Sequence, residues 1–272
     1  MKYHTIPEPI NTKILLISET HGQPPLSNSI TEHIDVAIHC GDLTNESKIE
    51  EFQNMLRYIR EDLPQTDLKL VIAGNHDFTL DIPAFKNIVA NARPVLEPEL
   101  AGNGDADDNI FLLDEEGTYE FQLRNGALLR VYASPFTPSL SGDWGFQYHL
   151  NQGHTFDIPD NVDVVITHGP PRGILDYSAN SSSRAGCPDL FRAVARVQPK
   201  LHCFGHIHEG WGAKLRARQD RRTGDLVYFS ADAPGLNRQE QMLFVNAALQ
   251  GETGIGQIPW LVSVKLPCAQ ID

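Results

Sequence analysis

The chain has 272 residues, and its 35 Asp and Glu outnumber its 22 Lys and Arg, so the formal net charge is −13 at pH 7. This length fits one large α/β domain, and the acidic balance argues against a nucleic-acid scaffold or an anionic-membrane binder, because both need a basic surface. The sequence shows neither a secretory signal nor an apolar run long enough to cross a membrane. Its four cysteines lack a Cys-x-x-Cys pair, so we expect a reduced, cytoplasmic protein.

The first half of the chain alternates predicted strands with a predicted helix. Short apolar runs bounded by Gly, Asp or His predict strands at 13–18, 36–39 and 68–73. Apolar residues then recur at helical spacing, which predicts a helix over 46–61 with Thr44 or Asn45 as its cap. Strands that alternate with helices predict βαβ units and a partly parallel sheet.

The second half is richer in strands. Further strands are predicted at 163–167, 201–204, 243–246 and 260–266, and a further helix begins at Pro188. Hairpins are predicted for 119–123 with 128–133, around Asn125-Gly126, and for 214–218 with 226–229. The pattern predicts an α/β fold of four layers, in which two mixed β-sheets pack as a sandwich flanked by α-helices. We expect a single domain over 1–272, with surface insertions near 97–116, 178–186 and 231–241.

Polar residues directly follow five of the predicted strands. These residues are Glu19-Thr20-His21, Gly41-Asp42, Gly74-Asn75-His76-Asp77, His168-Gly169 and Gly205-His206-Ile207-His208. In an open α/β sheet, ligands bind beyond the carboxyl ends of the strands. We therefore expect these side chains to converge in space although they are scattered in sequence.

The residue types at these strand ends suit divalent metal ions. Imidazole, carboxylate and amide groups together bind Mn, Fe or Zn, and Mg is a further option. The candidate ligands outnumber what one ion needs, and a carboxylate such as Asp42 can bridge two ions. Two metals about 3.5–4 Å apart clamp a phosphate and supply a hydroxide nucleophile near neutral pH. The residues therefore favour a centre with two divalent metal ions.

The five motifs, taken in order, resemble the calcineurin-like metallophosphoesterase superfamily. Its signature runs Asp-x-His, Gly-Asp, Gly-Asn-His-Asp/Glu, a lone His and Gly-His-x-His. The stretches 167–171 and 204–210 are similar to the metallophosphoesterase-domain-containing branch of that superfamily, and 244–248 resembles the closing strand of the branch. The resemblance thus covers nearly the whole chain and implies the fold of that superfamily.

The resemblance also implies two metal positions and one acid. The first ion would be held by Glu19, His21, Asp42 and His208, and the second by Asp42, Asn75, His168 and His206. His76 would face the substrate and protonate the leaving oxygen, and Asp77 would orient the ring of His76.

Position 19 departs from the family pattern, because the first motif there begins with Asp and this chain has Glu19. Glutamate keeps the oxygen donor but reaches farther by one carbon–carbon bond, about 1.5 Å. Metal–oxygen distances tolerate only about 0.2 Å of deviation. We therefore expect altered metal affinity or reactivity at the first position.

The resemblance implies a phosphoesterase that hydrolyses a phosphodiester or phosphomonoester of a small molecule, by attack of a metal-bridging hydroxide. Glu19 motivates an alternative, a dinuclear metalloenzyme of the same fold that acts on a non-phosphate metabolite by a hydrolytic or oxygen-dependent step. A third hypothesis, a binding or scaffold protein with a degenerate site, conflicts with the otherwise intact ligand set. Redox-active iron without phosphatase activity would favour the alternative.

Several other residues have structural explanations beside functional ones. His39 and His202 lie inside predicted strands, and we expect them to form hydrogen bonds in the core rather than to ligate metal. The aromatic-rich loop 143–148 either lines a pocket for a ring-bearing substrate or packs against the edge of the sandwich. Arg184 either reaches over a phosphate or points into solvent.

Overall fold

The first sheet carries five strands, most of them parallel. The computed structural model describes residues 7–25, 32–63, 65–83, 109–217, 241–251 and 253–269. The strands of this sheet are β1 (Ile10–Ile17), β2 (Ile34–His39), β3 (Thr66–Val71), β4 (Ile110–Leu112) and β17 (Trp260–Leu266). Their order is β17–β1–β2–β3–β4, with β1 to β4 paired in parallel and β17 antiparallel to β1. The carboxyl ends of β1, β2 and β3 therefore meet at one edge of the sheet.

The second sheet carries six strands and is also mixed. They are β5 (Gly117–Gln122), β6 (Leu128–Ser134), β9 (Val164–Thr167), β12 (Leu201–Phe204), β13 (Gly212–Ala217) and β14 (Gln241–Asn246). The order is β13–β14–β12–β9–β6–β5, and the four central strands run parallel. The outer strands β13 and β5 run antiparallel to their neighbours.

Shorter elements surround the two sheets. The helices are α1 (Ile49–Arg57), which continues as a π-helical turn (Tyr58–Asp62), and α2 (Pro188–Val197). Short 3₁₀ turns occupy Phe78–Leu80 and His208–Gly210. Three small strand pairs are β7 (Thr137–Ser139) with β8 (Gln147–His149), β10 (Tyr177–Ser178) with β11 (Ser183–Arg184), and β15 (Gln250–Gly251) with β16 (Gly254–Ile255).

Three apolar clusters hold the layers together. The central cluster lies between the sheets, where Leu16 and Ile38 of the first sheet share one buried core with Val131 and Ile166 of the second. A second cluster joins α1 to the outer face of the first sheet, and a third joins α2 to the outer face of the second. Burial of apolar surface on both faces of each sheet explains the near-continuous apolar sequence of the central strands. The predicted four-layered sandwich is confirmed.

The first helix is shorter than predicted, and its cap is different. It begins at Ile49 rather than at residue 46, because the Glu51 carboxylate accepts hydrogen bonds from the backbone N–H groups of Asn45, Glu46 and Lys48 and holds them outside the helix. The Thr44 hydroxyl, which the sequence offers as a cap, instead donates to Asp77 at 2.7 Å. Tertiary contacts with the next strand-end loop therefore decide where the helix starts.

Among the remaining predictions, one hairpin is confirmed, one surface insertion forms a strand in part, and several segments are not described by the structure. The hairpin around Asn125-Gly126 forms as predicted, with β5 and β6 on either side. Residues 110–112, predicted as part of a surface insertion, form the edge strand β4 instead. The segments 97–108, 226–229 and 231–240 lie outside the described residues. Within the described part of the chain, no helix is long and apolar enough to cross a membrane.

Candidate metal centre

Five strand-end loops, three from the first sheet and two from the second, meet at one edge of the sandwich. Backbone hydrogen bonds join them, since Glu19 N–H donates to the Gly41 carbonyl at 3.1 Å and Gly205 N–H donates to the His168 carbonyl at 2.9 Å. A bond between the sheets runs from His206 N–H to Oε1 of Glu19 at 2.7 Å. The loops thus form one connected platform, and they bring the predicted site residues together.

The first cluster of ligand atoms consists of Glu19, His21 and His208. Oε2 of Glu19 lies 3.1 Å from Nε2 of His208 and 3.3 Å from Nε2 of His21. The two Nε2 atoms are 3.4 Å apart. A metal ion can be held by such a group, because its candidate ligand atoms all lie within 4.8 Å of one another.

The hydrogen bonding of His21 fixes which atom faces this cluster. Nδ1 of His21 lies 3.1 Å from the Thr44 carbonyl, and a carbonyl can only accept, so Nδ1 carries the proton. In the neutral ring, Nε2 then presents a lone pair to the Glu19 carboxylate. Burial lowers the pKa of His21, but the hydrogen bond to Glu19 and its charge raise that pKa above its ordinary value. The contact therefore favours a positive charge between the two groups, either a proton or a metal ion, and this donor set fits a bound metal.

The second cluster also places an imidazole nitrogen next to side-chain oxygen atoms. Nδ1 of His168 donates to the Cys40 carbonyl at 3.0 Å, so in the neutral ring Nε2 has a lone pair that can bind a metal ion. This Nε2 lies 2.9 Å from Oδ1 of Asn75 and 3.4 Å from Oδ1 of Asp42. The ring centroids of His206 and His168 are 4.9 Å apart, and His206 lines the cavity that opens over the site.

Asp42 lies between the two clusters. Its Oδ1 faces His168, and its Oδ2 is 3.9 Å from Nε2 of His21. Oδ1 also accepts a hydrogen bond of 2.8 Å from the backbone N–H of His76. A carboxylate that reaches both clusters is the group a pair of metal ions would share.

The backbone at this edge is strained where the ligands sit. Glu19, His21, Asp42 and His206 all have positive φ, between 47° and 64°, a region that residues other than glycine seldom adopt. Such conformations cost about 1–3 kcal/mol each and concentrate at functional sites. The sequence shows no trace of this strain, because none of these four positions is a glycine.

Glycine is required where the loops approach one another most closely. A Cβ at position 74 would collide with Oδ1 of Asp42, and a Cβ at position 205 would lie 2.6 Å from Oε1 of Glu19. The glycines that punctuate the motifs therefore make room for the carboxylates.

Two buried carboxylates share the site, and their pKa values move in opposite directions. Burial alone raises the pKa of Glu19, but the neighbouring imidazoles, that of His168 above all, hold this pKa well below its ordinary value. Burial and the charge of Glu19 raise the pKa of Asp42 well above its ordinary value. A divalent ion would relieve the repulsion between the two carboxylates, which makes the site attractive to cations.

His76 lies at the rim of the centre, and its ring is not held as the sequence predicts. Nδ1 donates to the Asn45 carbonyl at 2.7 Å, so Nε2 is left for other partners. Burial lowers the pKa of His76, and the bond to Asn45 opposes that shift in part. Its ring also meets the edge of His21, with centroids 4.9 Å apart.

Asp77, which the resemblance places as the residue that orients His76, has no hydrogen bond to that ring among the described residues. Its carboxylate instead accepts hydrogen bonds from the N–H groups of Leu43, Thr44 and Gly74 and from the Thr44 hydroxyl, at 2.7 to 3.1 Å. The carboxylate lies below the loops rather than beside the imidazole because these donors surround it. Asp77 therefore ties the Asp42 loop to the His76 loop.

Two histidines beneath the centre form hydrogen bonds in the core, as predicted. His39 accepts from Gly41 N–H at 3.2 Å through Nδ1 and contacts the Thr20 hydroxyl at 2.9 Å through Nε2. His202 contacts the Thr167 hydroxyl at 2.9 Å through Nε2. Burial lowers the pKa of each histidine to about 3. Both rings are therefore neutral supports of the loops above them.

A cavity of about 620 Å³ opens over the metal-ligand cluster. Its floor and walls are formed by Asp42, Asn75, His76, Ser178, Asn180, His206, Ile207, His208, Glu209, Gln250, Gly251 and Gln257. Arg184 is absent from this lining, and its guanidinium pairs with the buried carboxylate of Asp176 at 2.7 Å. The hypothesis that Arg184 reaches over a phosphate therefore has no support in the described residues.

Comparisons with known proteins agree with this geometry. A family model described as calcineurin-like phosphoesterase matches residues 12–210, which contain all five motifs. Metallophosphoesterase domain-containing protein 1 of Homo sapiens is 35% identical over an alignment of 253 residues, which covers 87% of this chain and 71% of that protein. Probable rhamnogalacturonate lyase C of Emericella nidulans is 32% identical over 207 residues, which make up 75% of this chain and 18% of that protein.

One solved structure extends the comparison to the fold alone. Phosphopantetheinyl hydrolase from Mycobacterium tuberculosis has a TM-score of 0.50 and 11% sequence identity, with 93% of this chain and 96% of that chain covered. Such low identity carries no information about substrate.

Proposed function

The chain belongs to the calcineurin-like phosphoesterase family, and on that premise we propose that it hydrolyses a phosphodiester or phosphomonoester with two divalent metal ions. The observation that carries the proposal is the convergence of imidazole nitrogens and carboxylate oxygens on two neighbouring points that share Asp42. Mn, Fe and Zn suit these ligands, and Mg is a further option.

The ligand atoms divide between the two positions as the resemblance implies. Glu19, His21, Asp42 and His208 would hold the first ion, and Asp42, Asn75, His168 and His206 the second. Bound there, two divalent ions would clamp the phosphate oxygens and make a water nucleophilic near neutral pH. The buried imidazoles stay neutral and available as ligands, since burial lowers the pKa of His206 to about 3 and also lowers that of His168.

His76 would serve as the acid of the reaction. Its Nδ1 is fixed on Asn45, so Nε2 is the atom that delivers a proton to the leaving oxygen when the ring carries protons on both nitrogens. Ligand atoms of His21, Asp42 and His76 lie within 4.8 Å of one another, so the His76 ring would lie beside a phosphate held by the metal ions.

The cavity supports a small-molecule substrate. Its volume of about 620 Å³ is in the range of pockets that enclose such ligands. Neither Lys nor Arg lines it among the described residues, so the attraction for a phosphate would come from the metal ions. All four cysteines are unpaired, which supports a cytoplasmic, reducing location.

The alternative, a metalloenzyme for a non-phosphate metabolite, rests on Glu19. Its carboxylate lies against His21 and His208, so the ligand set at the first position is complete. Both reactions require this ligand set, so the assay with phosphate esters distinguishes them.

The test uses the full chain loaded with Mn and aryl esters of both classes, with bound metal counted by elemental analysis. We expect turnover of at least one class with two ions per chain, and His76→Ala should lower kcat by roughly 10²–10⁴-fold without loss of metal. His149→Ala, at an exposed position, is the control. Two bound ions without turnover of either ester class would overturn the proposal, and redox-active iron in that sample would support the alternative.

A further inference from the structure

Trp144 covers the face of His76. The two ring centroids are 4.2 Å apart, with an angle of 34° between the ring planes. The indole is 38% exposed and belongs to none of the three apolar clusters among the described residues. Its placement over an imidazole at the rim of the metal centre is therefore explained poorly by core packing.

The segment 143–148, here called the aromatic arm, is fastened to the loop that carries His76. Gly145 N–H donates to the carbonyl of Asn75 at 3.1 Å. Gly145 also lies so close to the backbone that a Cβ there would be 2.6 Å from Cα of Phe78. Phe146 N–H donates to the Asp81 carboxylate at 2.6 Å, and the Phe146 side chain is buried. The arm and the His76 loop are therefore one connected unit, and the indole of Trp144 also lies 6.0 Å from the ring of Phe78, between centroids.

Three contacts together fix the orientation of the His76 ring. The bond from Nδ1 to Asn45 sets one nitrogen, the edge of His21 limits the ring on one side, and the indole of Trp144 covers its face. One hydrogen bond alone leaves an imidazole free to swing about that bond. Without the indole, the described contacts leave the face of the ring open to water.

We infer that Trp144 is a positioning residue, whose indole holds His76 in the orientation that presents Nε2 to the leaving oxygen. The inference rests on the proposed function, because it concerns the delivery of the proton. During hydrolysis, water attacks phosphorus and releases a proton to solvent, and the bond from phosphorus to the leaving oxygen breaks. The electron pair on that oxygen takes the proton from Nε2 of a His76 ring that carries protons on both nitrogens, and the neutral ring then regains a proton from solvent. A displaced ring would slow the transfer to the leaving oxygen and leave the attack of water unaffected.

The decisive measurement is the dependence of rate on the leaving group. A p-nitrophenolate leaves without a proton near neutral pH, whereas a p-methoxyphenolate needs one as the bond breaks. Trp144→Ala should lower kcat on the p-methoxyphenyl ester by about tenfold or more, and on the p-nitrophenyl ester by less than about twofold. Trp144→Phe, which keeps an aromatic face, should restore most of the loss.

A double-mutant cycle separates positioning from general damage. In the His76→Ala background, Trp144→Ala should change kcat by less than about twofold, because the proton donor is already absent. Phe111→Ala removes a 45%-exposed aromatic side chain that packs against Phe121 and does not line the cavity, and it serves as the matched control. Equal losses on both esters, or additive losses in the cycle, would refute the inference.

A spectroscopic readout does not depend on activity. The indole should shift the NMR signal of the His76 Cε1 proton upfield in the metal-free protein, and Trp144→Ala should move that signal downfield. An unchanged signal would show that the rings do not stack in solution, which also overturns the inference. Failure of the proposed function is distinct, because there the wild-type protein with two bound ions turns over neither ester.

Discussion

The two sheets contribute different chemistry to the same site. The loops of the first sheet supply both carboxylates, the Asn75 amide and His21, whereas the loops of the second sheet supply only imidazoles. The loops of the first sheet are also tied together more heavily, since Asp77 alone accepts four hydrogen bonds from them. Carboxylates that repel each other need a rigid support, while neutral imidazoles do not. Changes in the first sheet should therefore have larger effects than changes in the second.

The largest effect is expected at the shared carboxylate. Asp42→Asn removes the charge that reaches both clusters, so both ions should be lost. Activity should then fall by roughly 10³-fold or more, because metal ions supply several kcal/mol of charge stabilisation. Elemental analysis of the purified variant measures the loss.

His206→Ala gives the comparison from the second sheet, and about one ion per chain should remain because the first position is intact. Asp176→Asn, a buried carboxylate that pairs with Arg184 outside the cavity, should keep both ions. Two ions bound to Asp42→Asn would contradict the bridging role. Loss of both ions from His206→Ala would show that the sheets contribute alike.

The next largest effect is expected at Asp77, whose carboxylate connects the loops of the first sheet through four hydrogen bonds. Asp77→Asn keeps the shape of the side chain but removes its charge and replaces one of the two oxygens that accept from four donors. The free energy of unfolding should therefore fall by roughly 2–3 kcal/mol. Urea unfolding of the metal-free protein measures this fall. The orientation of His76 should survive, because its partner is Asn45. A variant of unchanged stability and greatly reduced kcat would instead restore the role that the sequence predicts for Asp77.

His76 and Asp77 mark the limit of what the sequence predicts. The strands, the two-sheet sandwich and the cluster of polar side chains follow from apolar periodicity and from ligands placed at strand ends. The partner of His76 is the backbone carbonyl of Asn45. Every residue has a backbone carbonyl, so the sequence does not indicate which one His76 contacts. Asp77 looks like a partner for His76 because it is adjacent in sequence, but its donors come from loops that only the fold brings near.

The contact of the aromatic arm with the His76 loop is also one that the sequence does not predict. The sequence leaves the loop 143–148 open between a pocket wall and edge packing, because Trp144 lies 68 residues from His76 along the chain. Gly145 was the available signal, because a glycine beside two aromatics indicates a close approach of backbone. The identity of the approached element, the turn at Phe78, depends on tertiary structure.

A smaller effect is expected from shortening Glu19. The longer side chain can satisfy two neighbours at once, as Oε1 accepts from His206 N–H and from the Ser18 hydroxyl while Oε2 faces the histidines. Glu19→Asp cannot reach both, so affinity at the first metal position should weaken by about tenfold. Calorimetric titration of the metal-free protein with Mn measures this change. Equal affinity in the variant would mean that the extra methylene has no effect on metal binding.

The smallest effect at neutral pH is expected at the buried histidines beneath the sheets. The folded-state pKa of His202 is about 3, against about 6.5 for an unperturbed histidine. Below pH 6.5 the unfolded chain binds a proton that the folded chain excludes, so stability is full above that pH and falls as the pH drops toward 3. His202→Gln should flatten this dependence by up to about 1.4 kcal/mol per pH unit, measured by urea unfolding of the metal-free protein between pH 4 and 7.

His39→Gln is the partner experiment beneath the first sheet, and it sharpens the comparison. Both variants lose a histidine with a folded-state pKa of about 3, so their pH slopes should flatten equally. They should differ at pH 7, because both nitrogens of His39 have hydrogen-bond partners while Nδ1 of His202 has none among the described residues. Glutamine can replace the one hydrogen bond that His202 makes, but it cannot replace both hydrogen bonds that His39 makes, with Gly41 and with Thr20. Equal stability of the two variants at pH 7, with His149→Gln as the exposed control, would show that the first sheet needs no stronger support than the second.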